Sequence, residues 1–92
     1  MDLRAYLLEN YPEDNGLLIV DGFDDAFIGV GTSFHRSFTC YDREKIIEIL
    51  MQDMTYDEAV EHFDFNIGGA YVGENTPVFI DYVRYTGDGI NG

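Results

Sequence analysis

Basic residues are scarce in this chain: five Lys and Arg stand against eighteen Asp and Glu, and Lys45 is the only lysine. The formal net charge is -13 in 92 residues. Between Ile47 and Val83 there are eight acids and no Lys or Arg. That surface repels nucleic acid and anionic lipid, which excludes direct nucleic-acid binding and membrane docking as leading functions, and it attracts basic partners. Cysteine is also nearly absent. Cys40 stands alone, so an intrachain disulfide is excluded and no disulfide framework points to secretion. Long apolar runs are missing, so nothing in the sequence spans a bilayer. The opening MDLRAYLLENYPED has no basic start followed by a long apolar stretch and does not read as a signal peptide. The expected compartment is the cytoplasm. Tryptophan is absent, and there is no GxSxG, HExxH, CxxC or phosphate-loop spacing.

What is present argues for a folded domain. Hydrophobic residues make up 46%, with seven Tyr and seven Phe; an acidic chain poor in aromatics would instead read as disordered. Adaptation to high salt also yields an acidic, lysine-poor surface, but the abundance of Ile, Phe and Tyr is that of an ordinary core. The length allows one domain, expected over residues 1–85, with 86–92 as a frayed tail.

The pattern along the chain predicts α-β-β-β-α-α-β. Asp2 caps a short helix over 2–10 carrying Leu3, Tyr6 and Leu7 at helical spacing. The runs 17–21 (LLIVD) and 26–31 (AFIGVG) read as a hairpin about the turn Gly22–Asp25, with Gly29 and Gly31 marking a bulge or a close backbone approach. Residues 36–41 alternate and predict a third, antiparallel strand with Cys40 facing inward. Asp42 caps a helix with Ile46, Ile47, Ile49 and Leu50 as its buried stripe. Thr55 and Glu58 form a capping box, after which Tyr56, Ala59, Val60, Phe63 and Ile67 share one face. Gly68 and Gly69 end that helix, one of them in the left-handed conformation. Pro77 opens a last strand, VFIDYV. The expected fold is α+β: a small antiparallel sheet of three strands plus a C-terminal strand, with two or three helices packed on one face.

Several groups are candidates for function. On the second long helix Asp57, Glu61 and Asp64 fall at i, i+4 and i+7, with Glu58 adjacent, forming a row of charge with a rise of about 6 Å per four residues. Such a row is either a solvated helix face or an imitation of a phosphate backbone. Phe65 lies opposite the apolar stripe if the helix continues through it, and there it would anchor an interface; if the helix ends early it tucks inward. Asp21, Asp24 and Asp25 surround a turn, which their turn propensity explains better than a cation site. His35 and Cys40 are a conceivable base and nucleophile, although an inward Cys40 reads as a small hydrophobe. His62 stands at i+4 from Glu58, in reach of a solvated contact. The loop Gly68–Pro77 offers Gly69, Tyr71, Gly73, Asn75 and Thr76 beside exposed backbone, either as a ligand loop or as a helix-to-strand corner.

The stretch KIIEILMQDMTYDEAVEHFDFNIGGAYVGENTPVFI, together with GFDDAFIGVG upstream, resembles a family of small uncharacterised proteins found in bacteriophages and bacteria. The matching positions include Met54, Tyr56, Glu58, Ala59, Glu61, Phe63, Phe65, Asn66, Gly69, Ala70, Tyr71, Gly73, Thr76, Pro77 and Phe79. The resemblance covers most of residues 21–80. It implies a context, an accessory protein of phage type acting on a host factor in the host cytoplasm, and carries over no activity. The leading expectation is a non-enzymatic acidic module that binds a basic surface of a host nucleic-acid-handling protein through Asp57, Glu58, Glu61, Asp64 and Phe65, together with Glu74, without metal or cofactor. The alternative is a small-ligand or nucleotide-binding domain, with homo-oligomeric assembly open to it and its pocket at the Gly68–Pro77 loop.

Overall fold

The computed structural model describes residues 2–13, 16–83 and 87. The element order is α1 (Leu3–Asn10), a single 3-10 turn (Asp24–Ala26), β1 (Phe27–Ser33), β2 (Arg36–Asp42), α2 (Arg43–Leu50), α3 (Tyr56–Asn66) and β3 (Val78–Ile80). The α+β class stands. The expected frayed tail lies outside the described residues apart from Gly87.

All three helices begin where the side chains direct. The Asp2 carboxylate accepts from the N–H of Ala5 at 2.8 Å. The Asp42 carboxylate accepts from Glu44 and Lys45. Thr55 and Glu58 exchange both bonds of the capping box, with the Thr55 N–H donating to Glu58 Oε1 at 2.9 Å and the Glu58 N–H donating to Thr55 Oγ1 at 3.2 Å. Each cap satisfies backbone donors that the first helical turn leaves without partners.

The sheet differs from the expected one in composition and direction. Its order is β1-β2-β3; β1 and β2 are antiparallel, and β3 runs parallel to β2 with Cys40 opposite Val78, Tyr41 opposite Phe79 and Asp42 opposite Ile80. The hairpin therefore joins 27–33 to 36–42, not 17–21 to 26–31, and its loop is Phe34-His35. Residues 17–21 join no ladder; the segment is tied instead to side chains of β2, the Thr39 hydroxyl bonding at Leu18 and the Tyr41 hydroxyl at Val20. The parallel pairing follows from the crossover: α2, α3 and the loop after them return the chain to the end of the sheet from which β2 starts. The last strand is three residues long and stops at Ile80, short of the expected VFIDYV.

The glycines expected to disturb β1 do so in two ways. The register shifts between Phe27 and Gly29, which is a bulge. At Gly31 an added Cβ would come within 2.5 Å of the Phe38 ring, so the missing side chain makes room for the cross-strand aromatic.

The core lies on one face of the sheet. Ala26, Tyr41, Ile46, Ile47, Ala59 and Phe63 form the buried cluster. Rings run through it in series: Phe27 meets Tyr41 edge-on at 5.8 Å, Tyr41 meets Phe79 at 6.1 Å, and Phe79 meets Phe63 edge-on at 5.1 Å. These edge-on geometries suit the charge distribution of aromatic rings. The Arg43 guanidinium covers the Phe63 ring at 5.1 Å and reaches the Asp81 carboxylate at 3.8 Å.

Candidate functional site

Helix α3 presents two chemistries on opposite sides. Ala59 and Phe63 are buried, with Val60 half-buried beside them. At 100° per residue, Asp64, Asp57, Glu61, Phe65 and Glu58 follow one another around the other side within about a third of the circumference. All five are exposed, and Phe65 is 76% exposed. The helix runs through Asn66, which settles the direction of Phe65: it points away from the core and sits between Glu61 and Glu58. Among the described residues Asp57, Glu61 and Asp64 have no ion-pair partner, whereas Lys45 is engaged by Glu48 and Arg43 by Asp81. The Glu58 carboxylate is committed to the Thr55 N–H. His62 consequently does not pair with Glu58; its Nδ1 lies 3.4 Å from the Asn66 side-chain nitrogen.

Beside this arc is a shallow depression of about 530 Å³ lined by Asp53, Met54, Glu58, Glu61, His62 and Phe65. Asp53 and Met54 were not legible as site residues, since they precede the helix and only the α2–α3 turn brings them alongside it. Glu74, by contrast, is exposed on the loop after α3 and is not part of the helical row.

The loop residues serve mainly to shape the loop itself. Asn75 Nδ2 donates to the Ser37 carbonyl at 2.7 Å, tying the loop to the hairpin. Thr76 Oγ1 donates to the Gly73 carbonyl at 2.6 Å and accepts from the Val72 N–H at 2.9 Å. Gly73 has φ 109°, a conformation that a side chain would strain. Neither Gly68 nor Gly69 takes the left-handed cap; positive φ among the described glycines is confined to Gly22, Gly73 and Gly87. Their role is steric, because an added Cβ would come within 2.5 Å of the Phe63 ring at Gly68 and within 2.7 Å of the Asp64 carbonyl oxygen at Gly69. Tyr71 is exposed. Behind the loop lies an apolar groove of about 370 Å³, bordered by Leu18, Val20, Ile67, Val72, Pro77 and Phe79. It joins a segment before the sheet to one after α3, so no local spacing could have revealed it.

The remaining candidates separate. His35 occupies the exposed hairpin turn, while Cys40 is buried far along β2, on the order of 15 Å away at the rise of a strand. Burial pushes the Cys40 thiol up, a hydrogen bond to the Gly31 backbone offsetting part of the effect; the thiol is therefore a poor nucleophile at neutral pH. Asp21, Asp24 and Asp25 line an open depression with Asp2 and Arg4. Among the described residues no group of three or more His, Cys, Asp or Glu is placed to hold a metal ion, and no helix is long and apolar enough to cross a membrane.

No family model matches the chain, and no curated protein or solved structure matches it either.

Proposed function

We propose that this protein is a non-enzymatic interaction module whose acidic α3 face binds a basic protein surface, of the kind that nucleic-acid-handling proteins carry. The observation that carries this reading is the setting of Phe65: a large aromatic, 76% exposed, within an arc of carboxylates of which Asp57, Glu61 and Asp64 have no ion-pair partner among the described residues. An exposed ring in the middle of unneutralised charge suits a partner that supplies both Lys or Arg and an apolar contact. The charge would speed encounter, and the ring would hold the complex once formed. The resemblance to small phage and bacterial proteins favours a host factor as the target.

The test combines Asp57→Lys, Glu61→Lys and Asp64→Lys in one variant, with Phe65→Ala as a separate one. Each is used, beside the unaltered protein, to retain proteins from host lysate at low and high salt, with circular dichroism to verify the fold. The reading expects a nucleic-acid-handling protein retained by the unaltered chain, lost by the charge reversal and weakened by Phe65→Ala. Salt should weaken retention, because the Debye length shrinks from about 30 Å at 0.01 M to about 3 Å at 1 M. Equal retention by all three proteins would mean that the arc is only a solvated face.

A further inference from the structure

The run 17–20 has the composition of a strand but joins no ladder; its two bonds to the sheet are with side-chain hydroxyls of β2. The Leu18 carbonyl accepts from Thr39 Oγ1 at 2.7 Å, and the Val20 N–H donates to the Tyr41 hydroxyl at 2.9 Å. The contacts are two residues apart on both segments, which is the repeat of extended backbone, where successive residues turn their N–H and C=O to opposite sides. The N–H and C=O of Ile19 therefore turn away from Thr39 and Tyr41, and among the described residues they bond no protein group. Ile19 also lines the apolar groove behind the 68–77 loop, together with Leu18, Val20, Ile67, Val72 and Phe79. The unpaired backbone of Ile19 thus borders the apolar groove.

The geometry points to a strand-addition site: an extended, apolar segment of a partner protein lies along Ile19, exchanges backbone hydrogen bonds with it and places a side chain in the groove. In this mode of recognition the main chain supplies affinity and the pocket supplies selectivity. Three observations favour this occupant. Of the groove's polar side chains, Thr76 is committed to Gly73 and Val72 and the Asn66 amide nitrogen to the His62 carbonyl, leaving little to orient a polar small molecule. A purely apolar ligand would leave the Ile19 N–H and C=O without partners. A second copy of this chain would bring another net charge of -13 against the first, which opposes association. The same charge favours Lys or Arg flanking the apolar segment, a clause that rests on the proposed function.

The probe is a ten-residue peptide of alternating valine and threonine with two lysines at each end, titrated into isotope-labelled protein and followed through the backbone amide resonances. A second peptide is identical but N-methylated at alternate backbone amides, which removes ladder donors and keeps the apolar side chains. The proposal expects the Ile19 amide to shift and to gain protection from exchange, with weaker changes at Val72 and Phe79. The methylated peptide should bind roughly tenfold more weakly. Ala70→Arg, at the exposed rim of the groove, should weaken the unmodified peptide to a similar degree. Equal binding of both peptides would overturn strand addition and leave an apolar-ligand site. Responses confined to α3, or none at about 1 mM peptide, would overturn the site altogether. The Asp57, Glu61 and Asp64 reversal distinguishes the two readings: if Ile19 still responds and affinity is unchanged, the strand site stands and the role of the α3 charge falls.

Discussion

The Tyr41 hydroxyl accepts the backbone N–H of Val20 at 2.9 Å across twenty-one residues of sequence. Tyr41 is fully buried, so this bond fixes the segment before the hairpin against the centre of the sheet, and the Thr39–Leu18 bond repeats the attachment two residues away. Both partners lose water on folding, which makes the bond costly to break from one side. Tyr41→Phe keeps the ring in place against Phe27 and Phe79 but strands the Val20 N–H, and should destabilise the protein by about 1–3 kcal/mol.

The same phenol gives stability a pH dependence. Burial is the largest cause raising the Tyr41 pKa above its ordinary value; the Val20 N–H opposes it, and the Asp24 and Asp21 charges add to it. A group whose pKa is raised on folding contributes fully below its unfolded pKa, about 10 for tyrosine, and that contribution is lost as pH rises through the folded value. Urea unfolding midpoints should therefore fall on the alkaline side of about pH 10, and Tyr41→Phe should flatten this part of the decline.

Two glycine substitutions should act in opposite directions. Gly68→Ala places a Cβ within 2.5 Å of the Phe63 ring, and that ring is held by Phe79 on one side and Arg43 on another. With no room for the ring to move, the cost should be about 1–3 kcal/mol. At Gly29 nothing lies within 4 Å of the new atom and φ is not positive. Gly29→Ala should stabilise by about 0.5 kcal/mol, by narrowing the unfolded ensemble. Thermal unfolding of the pair separates the steric argument from a general intolerance of these positions.

Phe34→Gly should raise stability. Phe34 opens the two-residue hairpin loop with φ 58°, the one described non-glycine residue with positive φ, and it is 97% exposed. It forgoes core burial while holding a conformation that costs a side-chain-bearing residue about 1–2 kcal/mol. Glycine removes that cost, and its greater unfolded entropy returns part of the gain. A net increase of up to about 1 kcal/mol is expected in denaturant midpoints. An unchanged or lower midpoint would mean that the Phe34 side chain contributes contacts its exposure conceals.

Features legible in the sequence were those governed by near neighbours. Asp2, Asp42 and Thr55 cap helices because capping involves residues two or three apart, and the burial of Ala59 and Phe63 on α3 follows from its period, although Tyr56 on the same stripe is exposed. Alternation misleads at β2: it turns Cys40 toward the core, whereas the core cluster holds Tyr41, on the opposite face of the strand, and Cys40 is buried beside Gly31 and Phe38 instead. Pairing depends on competition between distant segments: the antiparallel pairing of β1 with β2 is as expected, whereas LLIVD, as strand-like as FIGVG, is held by the Thr39 and Tyr41 side chains and joins no ladder, and β3 runs parallel. The acidic arc could be placed on α3 from spacing, while the direction of Phe65 waited on where the helix ends. The groove was hidden because its walls come from opposite sides of the sheet in sequence.

The pairing of β2 with β3 also bears on the order in which the chain folds. The β1–β2 hairpin closes over a two-residue turn, and α2 meets α3 across a short one, so both form from contacts close in sequence. Joining Cys40 to Val78 instead closes a loop containing both helices, whose entropy must be met before the new contacts reward it. Docking of β3 is therefore the step expected last, with the ring series from Tyr41 through Phe79 to Phe63 completed at that point. Substitutions at Phe79 should accordingly act on the unfolding rate more than on the folding rate, the signature of a residue that joins the structure after the barrier.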